Sequence, residues 1–103
     1  MKIPVIQALL REQAERNSWT EYHTPGNLAQ AISVEAAELL DLWQWDRDFS
    51  KWPTEAEAAG EVADIAIFLL RYCDVTGIDL EQAIRDKIAY NDTRTVKGPR
   101  YAD

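Results

Sequence analysis

Two short stretches set acids where a helix should be apolar. "AISVEAAELLDLW" (31–43) and "GEVADIAIFLLRY" (60–72) place Glu35, Glu38, Glu61 and Asp64 among Val, Leu, Ile and Phe. At about 100° per residue, Leu28, Ile32, Glu35, Leu39 and Leu42 share one stripe, with Glu38 on its edge. Glu61, Ile65, Phe68 and Tyr72 share another, with Asp64 beside Glu61. Both acid pairs are therefore expected to face the interior, where an unpaired charge is strongly disfavoured. Carboxylates without His or Cys are hard oxygen ligands suited to Mg²⁺ or Mn²⁺, and Mg²⁺ is completed by water and substrate phosphates. The chemistry on offer is that of a divalent cation holding a polyphosphate.

Other readings of the same acids stand beside it. An E-x-x-E pair is commonly a solvated face, but Arg11, Gln13, Glu55, Glu57 and Arg85 already supply polar faces here. A buried salt-bridge network is a second reading, because Leu80, Ile84, Lys87, Asn91 and Arg94 also share a stripe and point two cations inward. Such a network is costly to assemble, and it would make the chain a non-catalytic helical dimerisation or interaction module. A di-iron site would bring E-x-x-H pairs, whereas the only histidine, His23, falls in a loop. Zinc would need Cys73 and His23, which are far apart in the chain.

The elements that must position these residues are helical nearly throughout, with Pro and Gly at the joints. The spacing predicts helices over 3–16, 28–45, 55–76 and 80–94. The first would turn Val5, Leu9, Leu10 and Ala14 inward. Asn27 is the N-cap candidate of the second, and Thr54 with Glu57 forms a capping box for the third. Gly77 stops the third helix and Asp79 caps the fourth. "NSWTEYHTPGN" and "DRDFSKWP" are loops, and residues 96–103 form a tail. No period-2 strand appears. The expected fold is all-α, a four-helix bundle-like single domain over residues 1–103.

Composition narrows the partners. Of 103 residues, 18 are Asp or Glu and 11 are Lys or Arg, for a net charge of -7. Phosphate backbones and anionic membranes need clustered cations, so nucleic acid and membrane surfaces are excluded as natural partners. The longest apolar run, "IAIFLL" at 65–70, is too short to span a bilayer. The N-terminus turns charged after Leu10, without a signal-peptide core. One cysteine forms no disulfide within the chain, and a cytoplasmic location is expected.

The motifs resemble a known family. E-x-x-E, 22 intervening residues and E-x-x-D on an all-α chain look like the MazG-type nucleoside triphosphate pyrophosphohydrolases. The resemblance covers residues 10–94 and extends to "W-x-x-Y-H-T-P-x-N-L" (19–28), "E-x-x-E-L-x-D-L-W-Q-W" (35–45), "E-x-x-D-I-x-I-F-L-L-R" (61–71), "G-I-D-L-E-x-A" (77–83) and "K-x-x-x-N" (87–91). The aromatic-rich version is most similar to the small dCTP pyrophosphatase-like subgroup.

That resemblance implies hydrolysis of a nucleoside triphosphate, with dCTP or a modified pyrimidine deoxynucleotide expected, to monophosphate and pyrophosphate. Glu35, Glu38, Glu61 and Asp64 match the Mg²⁺ ligands and carry the catalysis. Lys87 and Asn91 match residues that hold the phosphates, joined by Arg94. Trp19 and Trp45 match aromatics that enclose the base, with His23 and Phe68 as further base contacts. Without the family, Trp43 reads as core or interface, and Trp19 and Trp45 read equally as core. His23 beside Pro25 reads first as a hydrogen-bonder that fixes its loop. Trp45 is expected about 15 Å along helix two from Glu35, at the end that Trp19 approaches. Two positions depart from the subgroup. Leu10 stands where a polar base contact can occur, and Arg94 is not followed by Tyr-Pro, which leaves Lys97, Arg100 and Tyr101 to reach the site from the tail. Family members assemble through contacts near their sites, so a homodimer or homotetramer is expected.

Overall fold

Local chemistry sets the helix ends. In the computed structural model, which describes residues 2–44 and 50–94, α1 spans Ile3–Arg16, α2 Pro25–Asp41, α3 Glu55–Thr76 and α4 Leu80–Asp92, with a 3₁₀ turn at Thr20–Tyr22. No strand occurs among the described residues, so the all-helical expectation holds. The Thr54–Glu57 capping box closes, with Glu57 N–H donating to Thr54 Oγ1 at 3.2 Å and Thr54 N–H to Glu57 Oε1 at 3.1 Å. Gly77 ends α3 at φ +79°. Asp79 Oδ1 caps α4 by accepting from Gln82 N–H at 3.0 Å.

Helix α2 starts earlier than its apolar spacing indicates. Thr24, not Asn27, is the N-cap, and its hydroxyl accepts from Asn27 N–H at 3.2 Å. Pro25 fits the first helical position, where its fixed φ is suited and its missing N–H is not needed. Asn27 instead donates its side-chain amide to Tyr22 C=O at 3.0 Å and ties the 3₁₀ turn to the helix. The helix also ends at Asp41 rather than residue 45. Trp45, Lys97, Arg100 and Tyr101 lie outside the described residues.

Contacts across the helices give their directions. His23 meets Arg71, and Glu35 and Glu38 meet Glu61, so α2 and α3 run antiparallel. Gln7 donates to Leu70 C=O at 3.1 Å and Arg11 pairs with Asp74, a constant offset of 63 residues, so α1 runs parallel to α3. The core they share includes Ile3, Ala14, Leu28, Leu70 and Cys73. Ala14 is in the expected inward set of α1 and Leu10 is half-buried, but Val5 and Leu9 are exposed. The face that enters the core is instead Ile3, Gln7, Leu10 and Ala14, one helical stripe over.

Helix α4 departs most from expectation. From Glu81 to Thr93 every residue is exposed, Ile84 and Ile88 included. Periodicity groups Ile84, Lys87 and Asn91 on one face, but among the described residues that face stays exposed rather than turning into the core. The radius of gyration, 16.2 Å, exceeds the roughly 13 Å of a compact domain of this length. No helix among the described residues is long and apolar enough to cross a membrane.

Candidate active site

The α2–α3 pair brings the two acid motifs together. The expected stripes are observed, with Leu28 buried and Ile32, Glu35, Leu39, Leu42, Glu61, Ile65, Phe68 and Tyr72 half-buried, while Glu38 and Asp64 stand exposed at the edges. Glu35, Glu38 and Glu61 each offer a carboxylate oxygen, and these oxygens lie within 4.8 Å of one another. Asp64 is close enough for its charge to act on both Glu35 and Glu61.

Crowding shifts the proton affinities. The Glu35 carboxyl is held above its ordinary range first by a hydrogen bond shared with Glu38, then by burial and by the charges of Glu38, Asp64 and Glu61. Glu61 is raised first by burial, then by Glu38 and Asp64. Like charges this close favour a shared proton or a cation between them. One oxygen each of Glu35 and Glu61 is enclosed without a hydrogen-bond partner among the described residues. Buried polar atoms are ordinarily satisfied, and hard oxygen donors with open lone pairs fit a Mg²⁺-type ion. The described ion pairs, Arg11–Asp74, Arg71–Asp74 and Arg85–Glu81, do not reach these four acids. Among the described residues, therefore, no salt-bridge network gathers them.

A cavity of about 300 Å³ lies between α1, the 3₁₀ turn and α3, and its walls include Leu10, Trp19, Tyr22, His23, Phe68 and Arg71. Trp19 and His23 face each other with ring centroids 6.1 Å apart. The structure thus gathers Trp19, His23, Phe68 and Leu10, all singled out in the sequence. From Glu61 to Phe68 is seven residues of α3, roughly 10 Å along the axis. The cavity wall at Phe68 therefore lies about two turns of α3 from the acids.

Other expected site residues lie elsewhere. Lys87 and Asn91 are exposed on α4, and Arg94 is half-buried just beyond it. Lys87 Nζ and the Arg94 guanidinium lie 5.0 and 5.4 Å from the Tyr90 ring centre, not at the acids. Trp43 packs edge-on against Trp52 at 5.3 Å. Trp19 lies just before the N-terminal end of α2, and its expected meeting with Trp45 falls outside the described residues.

Arg71 is the residue that pattern reading passed over. It is buried, pairs with Asp74 at 3.0 Å and donates from Nε to His23 Nδ1 at 3.1 Å. The available signal was a lone cation inside the apolar run "IAIFLLRYC", which demands partners.

A helical fold with facing E-x-x-[ED] motifs beside an aromatic cavity is what the resemblance to the all-α nucleoside triphosphate pyrophosphohydrolases implies. No protein-family model matches the chain. Mouse dCTP pyrophosphatase 1 is 34% identical over 95 residues, which cover 86% of this chain and 56% of the mouse protein. The human dCTP pyrophosphatase 1 is 32% identical over the same extent. The chain spans little more than half the length of these curated relatives. A solved pyrophosphatase from Archaeoglobus fulgidus DSM 4304 is 35% identical, with 94% of each chain covered and a TM-score of 0.84. The chain belongs to the MazG-like dCTP pyrophosphatase family.

Proposed function

We propose that the protein is a nucleoside triphosphate pyrophosphohydrolase, acting on dCTP or a modified pyrimidine deoxynucleotide, with Mg²⁺ as cofactor and Mn²⁺ as its substitute. The observation that carries this reading is the convergence of three carboxylates from two helices with two enclosed, unpartnered oxygens. The names of the mouse and human relatives support dCTP as the substrate.

Glu35, Glu38, Glu61 and Asp64 hold the metal, and an acid left basic among them accepts the proton of the attacking water. When bound, the ion neutralises the triphosphate and polarises the α-phosphorus. The cavity takes the base, with Trp19 and Phe68 against its faces and His23 at its edge. Base–aromatic stacking contributes roughly 1–3 kcal/mol per base and tolerates many bases. Trp45 adds to the enclosure from outside the described residues.

Lys87, Asn91 and Arg94 hold the phosphates, and Lys87 and Arg94 stabilise charge on the departing pyrophosphate. Their helix stands apart from the acids of its own chain, so α4 of a second copy supplies them in a homodimer or dimer-based tetramer. The exposed Val5, Leu9, Ile84 and Ile88 support such an assembly. A single, buried, free cysteine, Cys73, is consistent with a cytoplasmic setting.

The test is product analysis over a panel of canonical and modified triphosphates, with and without Mg²⁺. Pyrophosphate and dCMP from dCTP, dependent on the cation, are expected. Release of orthophosphate, or turnover indifferent to divalent metal, would refute the assignment. Mg²⁺ should also raise the melting temperature, and a nucleotide should add to that rise.

A further inference from the structure

Four charged or titratable side chains form one relay across α1, α3 and the turn before α2. Arg11 binds Asp74 through two bonds, at 2.8 and 3.0 Å. Asp74 accepts from Arg71 Nη1 at 3.0 Å, and Arg71 Nε donates to His23 Nδ1 at 3.1 Å. Asp74 is held below its usual range, foremost by its hydrogen bond to Arg11, so it stays a carboxylate. Arg71 is 4% exposed, and its guanidinium is aimed from both sides rather than free to swing.

An arginine side chain has only N–H donors and keeps its proton. The ring nitrogen it meets must present a lone pair. A neutral imidazole carries one N–H, so with Nδ1 as acceptor the proton sits on Nε2. Burial, and then the charge of Arg71, lower the His23 pKa and keep the ring neutral. Among the described residues Nε2 makes no hydrogen bond, which leaves it for an occupant of the cavity that His23 lines.

We propose that Arg71 is a positioning residue that fixes His23 as the Nε2–H tautomer and so makes it a dedicated donor to the base edge, favouring cytosine over uracil. Cytosine N3 is an acceptor, whereas N3 of uracil and thymine carries a hydrogen. Gln13 and Tyr22 also border the cavity, but an amide can turn over and a phenol can donate or accept, so neither sets a sense. The locked imidazole does. A uracil in the same pose leaves two donors facing each other, each unpaired, which corresponds to roughly 10–100-fold in affinity. This inference rests on the proposal that the cavity takes the base of a nucleotide.

The chain has one histidine, so long-range ¹H–¹⁵N correlation of labelled protein reports this imidazole alone. The Nε2–H pattern is expected near neutral pH without ligand. The Nδ1–H pattern, or an even mixture, would overturn the inference. In parallel, kcat/KM for dCTP and dUTP is compared in wild type, Arg71→Met, His23→Gln and His23→Phe. His23→Gln, whose amide oxygen would take the Arg71 N–H and so hold its own N–H near the place of Nε2–H, should keep the preference for dCTP. His23→Phe and Arg71→Met should lose it about 10–100-fold, through KM for dCTP more than through kcat, and Arg71→Met should also mix the tautomers. An unchanged preference in His23→Phe would remove His23, and with it Arg71, from base reading. If Arg71→Met does not fold, the wild-type spectrum and the two His23 variants still decide. If no triphosphate is turned over at all, the enzymatic reading fails. Titration of dCMP against dUMP, followed on the same imidazole signal, then decides the present one, with tighter dCMP binding expected and equal binding refuting it.

Discussion

Glu35 and Glu61 each bury one oxygen that nothing in the described chain satisfies, and both carboxyls are raised. The sign of the consequence follows from linkage. A raised folded pKa means that the folded state holds the proton more tightly than the unfolded chain. The metal-free protein should therefore be favoured at acid pH and lose stability as pH rises from the ordinary glutamate value of 4.5 through the raised ones. Added Mg²⁺ should remove that loss, so its stabilising effect should grow with pH across the same window. Melting curves over a pH series, with Mg²⁺ or with chelator, check this; a metal effect independent of pH would contradict it. Glu38→Gln and Asp64→Asn should each abolish turnover. In chelator neither should melt below wild type, because each removes a like charge from Glu35 and Glu61. Near wild-type turnover in either variant would take that residue out of the metal site.

At the scale of elements, cap chemistry was readable because it is local. Thr54 with Glu57, Gly77 and Asp79 act within a few residues of themselves and sit where the sequence indicates. Gly77→Ala tests the clearest of these. A Cβ there meets nothing within 4 Å, and the backbone is at φ +79°, so the cost is conformational alone, about 1–2 kcal/mol. In a domain of this size each kcal/mol lowers Tm by about 4–8 °C. The start of α2 was less readable because Thr24–Pro25 and Asn27 are rival signals, and a tertiary detail, Asn27 bonded to Tyr22, decides between them. The acid stripes of α2 and α3 were legible because each helix has the other to bury against. The stripe of α4 was legible as a stripe only, since periodicity says which residues share a face and not what lies opposite. The Arg71–His23 contact joins residues 48 apart, beyond any pattern of spacing.

The whole molecule is more extended than a chain of this length needs to be, and α4 lies exposed from Glu81 to Thr93. Its exposed Ile84 and Ile88, with Lys87 and Asn91 on the same helix, would on the proposed reading serve as an interface and a phosphate-binding edge in one element. Ile84→Asp combined with Ile88→Asp should give monomers by light scattering and lose turnover, although the acids are untouched. A sharper test separates α4 of the same chain from α4 of a second copy. In a two-fold dimer with exchanged helices, one site takes its acids from the first subunit and Lys87 from the second. Lys87→Ala and Glu38→Gln subunits are each inactive alone. Mixed by unfolding and refolding together, half of the dimers formed at random are hybrids. In a hybrid, the site built from the acids of the Lys87→Ala chain and α4 of the Glu38→Gln chain is intact. Its other site carries both lesions. Roughly a quarter of wild-type activity should therefore return. If α4 served the acids of its own chain, every site in the mixture would carry one lesion and no activity would return. A mixture that stays inactive while forming hybrid dimers would put Lys87 back with its own acids, and would require α4 to swing onto the α2–α3 pair when the triphosphate binds.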